Sequence, residues 1–196
     1  MYMEINSTAN SQKKAGFALL MTLIVVGAVA AIGISILDLS LKQVQLSTNA
    51  KDSEIAFHAA NAGMECARYV RRIASSTMES GGNISPTCFS TTPFSPVTVT
   101  QVLTGGNGLI TFYRYRFSWG SSPRCSEVQA LMFNATAGQS GLTLNGVDVW
   151  IKGYPLSNKT CAAGERCTII STKGWNRSCG NISTAGTVER EVLLQF

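Results

Sequence analysis

GFALLMTLIVVGAVAAIGISIL, residues 16–37, is a run of 22 residues without a charged side chain. A helix of this length extends about 30 Å, which matches the hydrocarbon core of a bilayer. Lys13 and Lys14 precede the run and Asp38 follows it. Because positively charged flanks stay on the cytoplasmic side, the run predicts a single membrane span, with the N-terminus in the cytoplasm and the chain after Asp38 outside.

The segment that follows predicts that the helix continues beyond the span. Residues 39–76 contain no proline and are rich in Ala, Leu, Lys, Gln and Glu. Apolar or small residues recur there at steps of three and four, as on one face of an amphipathic helix: Ile55, Ala59, Ala62, Cys66, Val70 and Ile73. We therefore expect one long helix from about residue 17 to about 76, apolar over 17–37 and amphipathic over 38–76.

Residues 80–196 predict an antiparallel β-sheet domain outside the cytoplasm. The composition changes there to Gly, Ser, Thr, Asn and Pro, and short β-type runs cover residues 97–103, 109–119, 127–133, 147–151, 167–175 and 187–196. Turn signals stand at Gly105-Gly106-Asn107-Gly108 and Asn145-Gly146. Strands that follow one helix indicate an α+β fold, in which the long N-terminal helix packs on the antiparallel sheet.

Alternating side chains assign faces to two of these strands. In the second run, Tyr113, Tyr115, Phe117 and Trp119 alternate with Arg114, Arg116 and Ser118, which is typical of a half-buried strand. In the last run, Val188, Val192, Leu194 and Phe196 share one face, and Glu189 and Glu191 share the other. The apolar faces are the ones that we expect to cover the helix.

The cysteines predict disulfides. All six lie beyond the apolar span: Cys66, Cys88, Cys125, Cys161, Cys167 and Cys179. An even count in an exported domain favours disulfide bonds and leaves their pairing open. Cys66 lies on the apolar helix face, where we expect it to bond the helix to the sheet domain through Cys88 or Cys125. We predict no metal site and no cofactor, since there is no Cys-x2-Cys pair and His58 is the only histidine.

Charge and motifs give little support to nucleic-acid binding or catalysis. The net charge is +5, but the basic residues are scattered, without a dense run interleaved with aromatic residues. A single histidine leaves no Ser/His/Asp or Cys/His arrangement to place, so we predict that the protein is not an enzyme.

The residues around Gly16 resemble a known signal. Lys13-Lys14-Ala15-Gly16-Phe17 followed by the apolar run is similar to the class III signal of the type IV pilin family. The resemblance implies that residues 1–16 are a leader, that a prepilin peptidase cuts after Gly16, and that Phe17 becomes the N-methylated first residue. It also implies, as partners, other pilin subunits, an inner-membrane assembly platform and, before assembly, membrane lipid. The protein would then move from the cytoplasmic membrane to an extracellular filament or the cell surface.

A second segment resembles a narrower group within that family. Residues 53–65, SEIAFHAANAGME, are similar to the Ala-Phe-x-Ala-Ala-x-Ala-Gly segment of minor pilins of the PilX type and of the large minor pseudopilin. Pilins often join cysteines in their C-terminal region, which implies a Cys167–Cys179 or Cys161–Cys179 bond here. Together the two resemblances cover about residues 13–72.

One residue departs from the family pattern. The fifth mature position, usually Glu, is Met21 here. In the family that carboxylate is thought to neutralise the amino terminus of a neighbouring subunit, and the exceptions are certain minor subunits, notably at the tip. The resemblance therefore implies a tip or initiation role. Three alternatives remain: a pseudopilin of a secretion or DNA-uptake machine, an unprocessed single-pass surface binding or adhesion protein, and a membrane-tethered enzyme.

Overall fold

The predicted long helix is present in the structure, a computed structural model that describes residues 8–103, 108–135 and 141–196. Helix α1 covers Thr8–Ile73, and a five-residue helix, α2, covers Ser75–Glu79. The helix begins before the expected residue 17, because nothing in the preceding polar residues breaks it, and it ends before residue 76. Two cations in its last turn, Arg71 and Arg72, complement the negative end of the helix dipole.

The chain divides into two units, residues 1–49 and 50–196. The described residues of the first unit, 8–49, are the N-terminal part of α1. The second contains residues 50–73 of the same helix, α2 and all of the β-structure. Each is described below on its own.

The second unit contains a five-stranded antiparallel sheet in the order β1-β2-β3-β6-β7. The strands are β1 Thr98–Leu103, β2 Leu109–Trp119, β3 Arg124–Asn134, β6 Arg166–Trp175 and β7 Glu189–Gln195. Helix α1 packs on one face of this sheet, which confirms the α+β prediction. Five of the six predicted strands are therefore present. Of the first turn signal, residues 105–107 lie outside the described residues, but β1 and β2 pair as the hairpin that it predicts.

The predicted strand over 147–151 is wrong. Residues Val147–Trp150 form a short helix, α3, which begins after Gly146 in the left-handed conformation, at φ 70°. Val147 and Ile151 are both buried, whereas Val149 is 75% exposed, so the buried spacing is four and not two. The sequence Val-Asp-Val-Trp-Ile fits the two-residue period of a strand as well as the four-residue spacing of a helix. Packing against the rest of the domain favours the helix.

A second layer that the sequence did not predict covers part of the sheet. Strands β4 (Leu142–Asn145) and β5 (Asn158–Cys161) form a two-stranded sheet next to α3. These elements pack on the face opposite α1, against a cluster in the central strands that includes Ile110, Leu131, Phe133 and Ile169. The first half of β2 is therefore buried on both faces, and only its second half shows the predicted half-burial.

The face that packs on α1 agrees with the predicted alternation. Tyr113, Tyr115 and Phe117 are fully or almost fully buried, and Val192 and Leu194 of β7 join the same cluster. On the helix, Cys66 and Val70 are buried as predicted, but Ile73 is 62% exposed. The part of the helix that packs on the sheet is formed by smaller residues than the ones that we predicted.

Candidate functional site

The N-terminal unit presents an apolar surface along its helix. Every described side chain from residue 16 to residue 50 is exposed. Phe17 is 65% exposed and Met21 is 48% exposed. Such a surface is stable only against lipid or against other apolar surfaces. By length and composition, α1 could cross a membrane, and it is the one helix in the described ranges that could do so.

Four hydroxyl groups of this unit donate hydrogen bonds to carbonyls of their own helix. Thr22 donates to the carbonyl of Leu19 at 2.8 Å, and Ser35 donates to that of Ala31 at 2.9 Å. Ser40 and Thr48 make the same kind of bond to the preceding turn. Because these four donors have partners on their own helix, they need none from the surroundings of the helix.

The residues of the predicted processing site all lie on α1. A β-carbon at Gly16 would meet nothing within 4 Å, so the chain itself does not require glycine there. Beyond Met21 the next acidic residue is Asp38, which bonds to Lys42 at 2.9 Å. Asp38 thus already has a counter-ion on its own helix.

In the second unit, α1 lies close to the sheet because small residues occupy both the helix and the strands where the two meet. Ala56, Ala59 and Ala60 are completely buried. A β-carbon at Gly174 of β6 would overlap the main chain of Ala56 and Ala60, and one at Gly63 would lie 3.1 Å from the β-carbon of Ser126. We call this contact the small-residue seam.

Two side-chain hydrogen bonds fix the seam. Ser126 on β3 donates to the carbonyl of Ala59 at 2.7 Å, and Thr172 on β6 donates to that of Ala60 at 2.9 Å. Ser126 also accepts a hydrogen bond from the indole nitrogen of Trp119 at 2.8 Å. The seam gives the segment 53–65 a physical explanation, since its alanines and Gly63 allow the backbone of the helix to reach the strands.

Sequence reasoning missed the strand side of the seam. Ser126 and Gly174 are direct partners in the β3–β6 register, and Thr172 lies on the same face of β6. The signal was the presence of small residues on strand faces that otherwise carry large ones. This pattern can be recognised only when the pairing of β3 with β6 is known.

All six cysteine candidates form disulfides. Cys66 bonds to Cys88, one of the two predicted partners, and ties α1 to the segment before β1. Cys125 at the start of β3 bonds to Cys179 in the 3-10 turn after β6, and Cys161 bonds to Cys167. All three bonds lie within the second unit.

The C-terminal pairing differs from the one that the resemblance implied. Neither Cys167–Cys179 nor Cys161–Cys179 is formed. Cys167 is near the start of β6 and Cys179 follows its end, so eight strand residues separate them by about 26 Å. Cys125, by contrast, is the register partner of Trp175 and lies beside the turn that carries Cys179.

The face of the sheet opposite α1 carries a buried carboxylate. Glu127 is 1% exposed and accepts hydrogen bonds from Arg114 at 3.0 Å, from Arg116, and from Gln129 at 2.6 Å. Burial raises the pKa of Glu127, but these hydrogen bonds outweigh it and hold the pKa below its ordinary value. We call these four residues the Glu127 cluster.

Burial raises the pKa of two tyrosines on the face of the sheet that packs on α1. It raises the pKa of Tyr113 to about 12 and raises that of Tyr115 further. The hydroxyl of Tyr113 donates to the carbonyl of Gly82 at 2.9 Å. These groups stay neutral at physiological pH and act as packing residues.

Other candidate chemical groups are committed elsewhere. His58 is exposed, and its Nε2 lies 3.6 Å from a carboxylate oxygen of Glu54 on the same helix. Cys161, Glu165 and Cys167 are close enough to share a metal ion, but the two sulfurs are bonded to each other and are not thiolates.

No family model, no curated protein and no solved structure matches the chain.

Proposed function

We propose that the chain is a structural minor subunit of a type IV pilus or a related filament. The observation that supports this most strongly is that α1 supplies both an uncovered apolar surface and the packed strip of a disulfide-bonded sheet domain. The apolar surface, residues 17–37, inserts in the membrane first and packs against helices of other subunits later. The sheet domain remains outside.

The extent of the apolar surface favours a filament over a plain anchor. Exposed apolar side chains continue beyond Leu37: Leu39, Leu41, Val44 and Leu46 are between 57% and 73% exposed. Residues 17–46 extend about 45 Å as a helix, longer than the hydrocarbon core of about 30 Å. A simple anchor has no use for apolar side chains outside the bilayer, whereas helix packing between subunits does.

The proposal assigns roles to the terminal residues. A prepilin peptidase removes residues 1–16, Phe17 becomes the N-methylated first residue, and an inner-membrane assembly platform inserts the subunit. Met21 leaves the subunit without the carboxylate that pairs with a neighbouring amino terminus, which fits a tip or initiation position. No catalytic role is included.

The mature amino terminus tests this proposal. The full chain is expressed with and without a prepilin peptidase, and its N-terminus is determined by mass spectrometry. We expect N-methylated Phe17 only when the peptidase is present. Gly16→Val should block cleavage, whereas Gly33→Val should not, although a β-carbon meets nothing at either position.

The contrary result is equally clear. A chain that still carries Lys13 and Lys14 with an active peptidase present would overturn the pilin assignment. The protein would then be a membrane-anchored surface domain of the binding or adhesion class.

A further inference from the structure

The face of the sheet opposite α1 is covered over only part of its area. The second layer of β4, β5 and α3 packs over the apolar part. The remainder forms a groove of about 510 Å³ whose floor is the Glu127 cluster and Lys173. Val149 and Trp150 of α3 line one part of it, and Ile182 and Ser183 after the 3-10 turn line another. The groove lies entirely within the second unit.

The groove is positively charged. Its cations are Arg114, Arg116, Lys152 and Lys173, and its carboxylates are Glu127 and Glu189, which gives a net charge of +2. Both carboxylates are committed: Glu127 to the two arginines, and Glu189 to Lys173 at 2.8 Å. Lys152 is exposed and has no ion pair within the described ranges. The surplus charge therefore favours an anionic ligand.

Polar groups in the floor have unused hydrogen-bonding capacity. A guanidinium carries five N–H donors. For Glu127, Arg116 uses the one on Nε, and Arg114 uses the one on Nε and one of the two on Nη2. Gln129 is 8% exposed, and its Oε1 has no hydrogen-bond partner. The floor thus offers donors for an acidic group and one buried acceptor for a hydroxyl group.

An aromatic side chain completes the set. Trp150 is half-buried, with its ring centroid 5.3 Å from that of Phe112, and it lines the groove. Cationic donors, an amide acceptor and an indole together are the groups that bind a hydroxyl-rich ring with an acidic substituent. From this combination we infer that the groove binds a carboxylate-bearing saccharide, of the uronate or sialate type. Filament assembly plays no part in this inference.

Binding is measured on the full chain in detergent micelles by isothermal titration and tryptophan fluorescence. The probes are trigalacturonate and 3′-sialyllactose, which distinguish the two sources of the carboxylate, and lactose is the neutral control. We expect one of the acidic probes to saturate and lactose to bind at least about tenfold more weakly, because a lost charge-assisted hydrogen bond has about that effect. Equal binding of lactose would overturn the inference, as would the failure of both acidic probes to saturate.

Matched variants locate the binding. Lys152→Gln and Arg72→Gln each remove one exposed positive charge, and Arg72 lies outside this groove. We expect about tenfold weaker binding for Lys152→Gln and no change for Arg72→Gln. Arg114→Gln, which leaves Arg116 on Glu127, should also weaken binding. Equal effects of Lys152→Gln and Arg72→Gln would overturn the inference. Binding of a hexaglutamate peptide as tight as that of the saccharides would also overturn it, since the groove would then be a peptide site.

Discussion

Gly174 of β6 lies so close to Ala60 of α1 that no side chain fits between them. A β-carbon at position 174 would overlap the backbone nitrogen of Ala60 and the carbonyl oxygen of Ala56. The neighbouring hydrogen bonds from Ser126 and Thr172 hold the helix at this distance. The position of α1 on the sheet is therefore set by main-chain contact as well as by side-chain packing.

Gly174→Ala should destabilise the protein strongly. The added methyl group meets backbone atoms, which cannot rotate away, so we expect a loss of about 3 kcal/mol in the free energy of unfolding, at the upper end of typical overpacking effects. Urea unfolding of the full chain in detergent, followed by circular dichroism, measures the loss.

Gly180→Ala is the matched control for that variant. A β-carbon at position 180 would come no closer than 3.9 Å to another residue, at Phe94. We expect a change within about 0.5 kcal/mol, as for surface substitutions. Equal effects at the two glycines would contradict the seam as described.

The three disulfides should differ in their contribution to stability. Their sequence separations are 54 for Cys125–Cys179, 22 for Cys66–Cys88 and 6 for Cys161–Cys167. On the chain-entropy model, removing them costs about 4, about 3 and about 2 kcal/mol respectively.

Replacing each pair by two alanines tests this order by urea unfolding. The Cys125–Cys179 variant should be the least stable of the three. If the Cys161–Cys167 variant were the least stable, then local packing at those sites, and not loop closure, would dominate.

Stability should fall in acid partly through Glu127. A carboxyl group whose pKa is lower in the folded state stabilises the fold above its unfolded pKa, and this contribution is lost as the pH falls through the folded pKa. The pKa of Glu127 is lowered from an ordinary value of 4.5, so its contribution is complete above that pH and disappears below it. Arg116→Gln removes one cause of the lowering, so the acid-dependent loss should be smaller and should be complete at a higher pH.

Glu127→Gln should remove this part of the acid dependence. At neutral pH the variant leaves Arg114 and Arg116 without their carboxylate, and we expect a cost of no more than about 3 kcal/mol, since both arginines are partly exposed. Urea unfolding from neutral to acid pH gives both quantities. An unchanged acid slope in the variant would show that other carboxyl groups dominate.

Local patterns predicted the elements whose packing is simple. Alternation from Tyr113 to Trp119 located β2 because one face of its second half packs on α1. The proline-free segment after Asp38 predicted the continuation of α1, since nothing in it interrupts the backbone hydrogen bonds. In both cases the period of the sequence and the burial of the element agree.

The rest depended on contacts between residues far apart in the chain. Ser126 and Ala59 are 67 positions apart, and Thr172 and Ala60 are 112 apart, so the seam follows from strand order and not from any local motif. The Glu127 cluster likewise needs the pairing of β2 with β3. The sequence of residues 147–151 fits both a strand and a helix, and the helix forms because its buried residues pack in the second layer.

Met21→Glu tests the proposed place of the subunit in a filament. The family resemblance implies that a carboxylate at this position pairs with the amino terminus of a neighbouring subunit, and an unpaired charge in an apolar core is costly. We therefore expect the wild-type chain to localise to filament tips and the Met21→Glu chain to spread along the shaft, as seen by immunogold labelling of an epitope-tagged subunit. Met21→Leu, which keeps the position apolar, is the control and should remain at the tip. If wild type and Met21→Glu were distributed alike, the methionine would not set the position of the subunit, although cleavage at Gly16 would be unaffected.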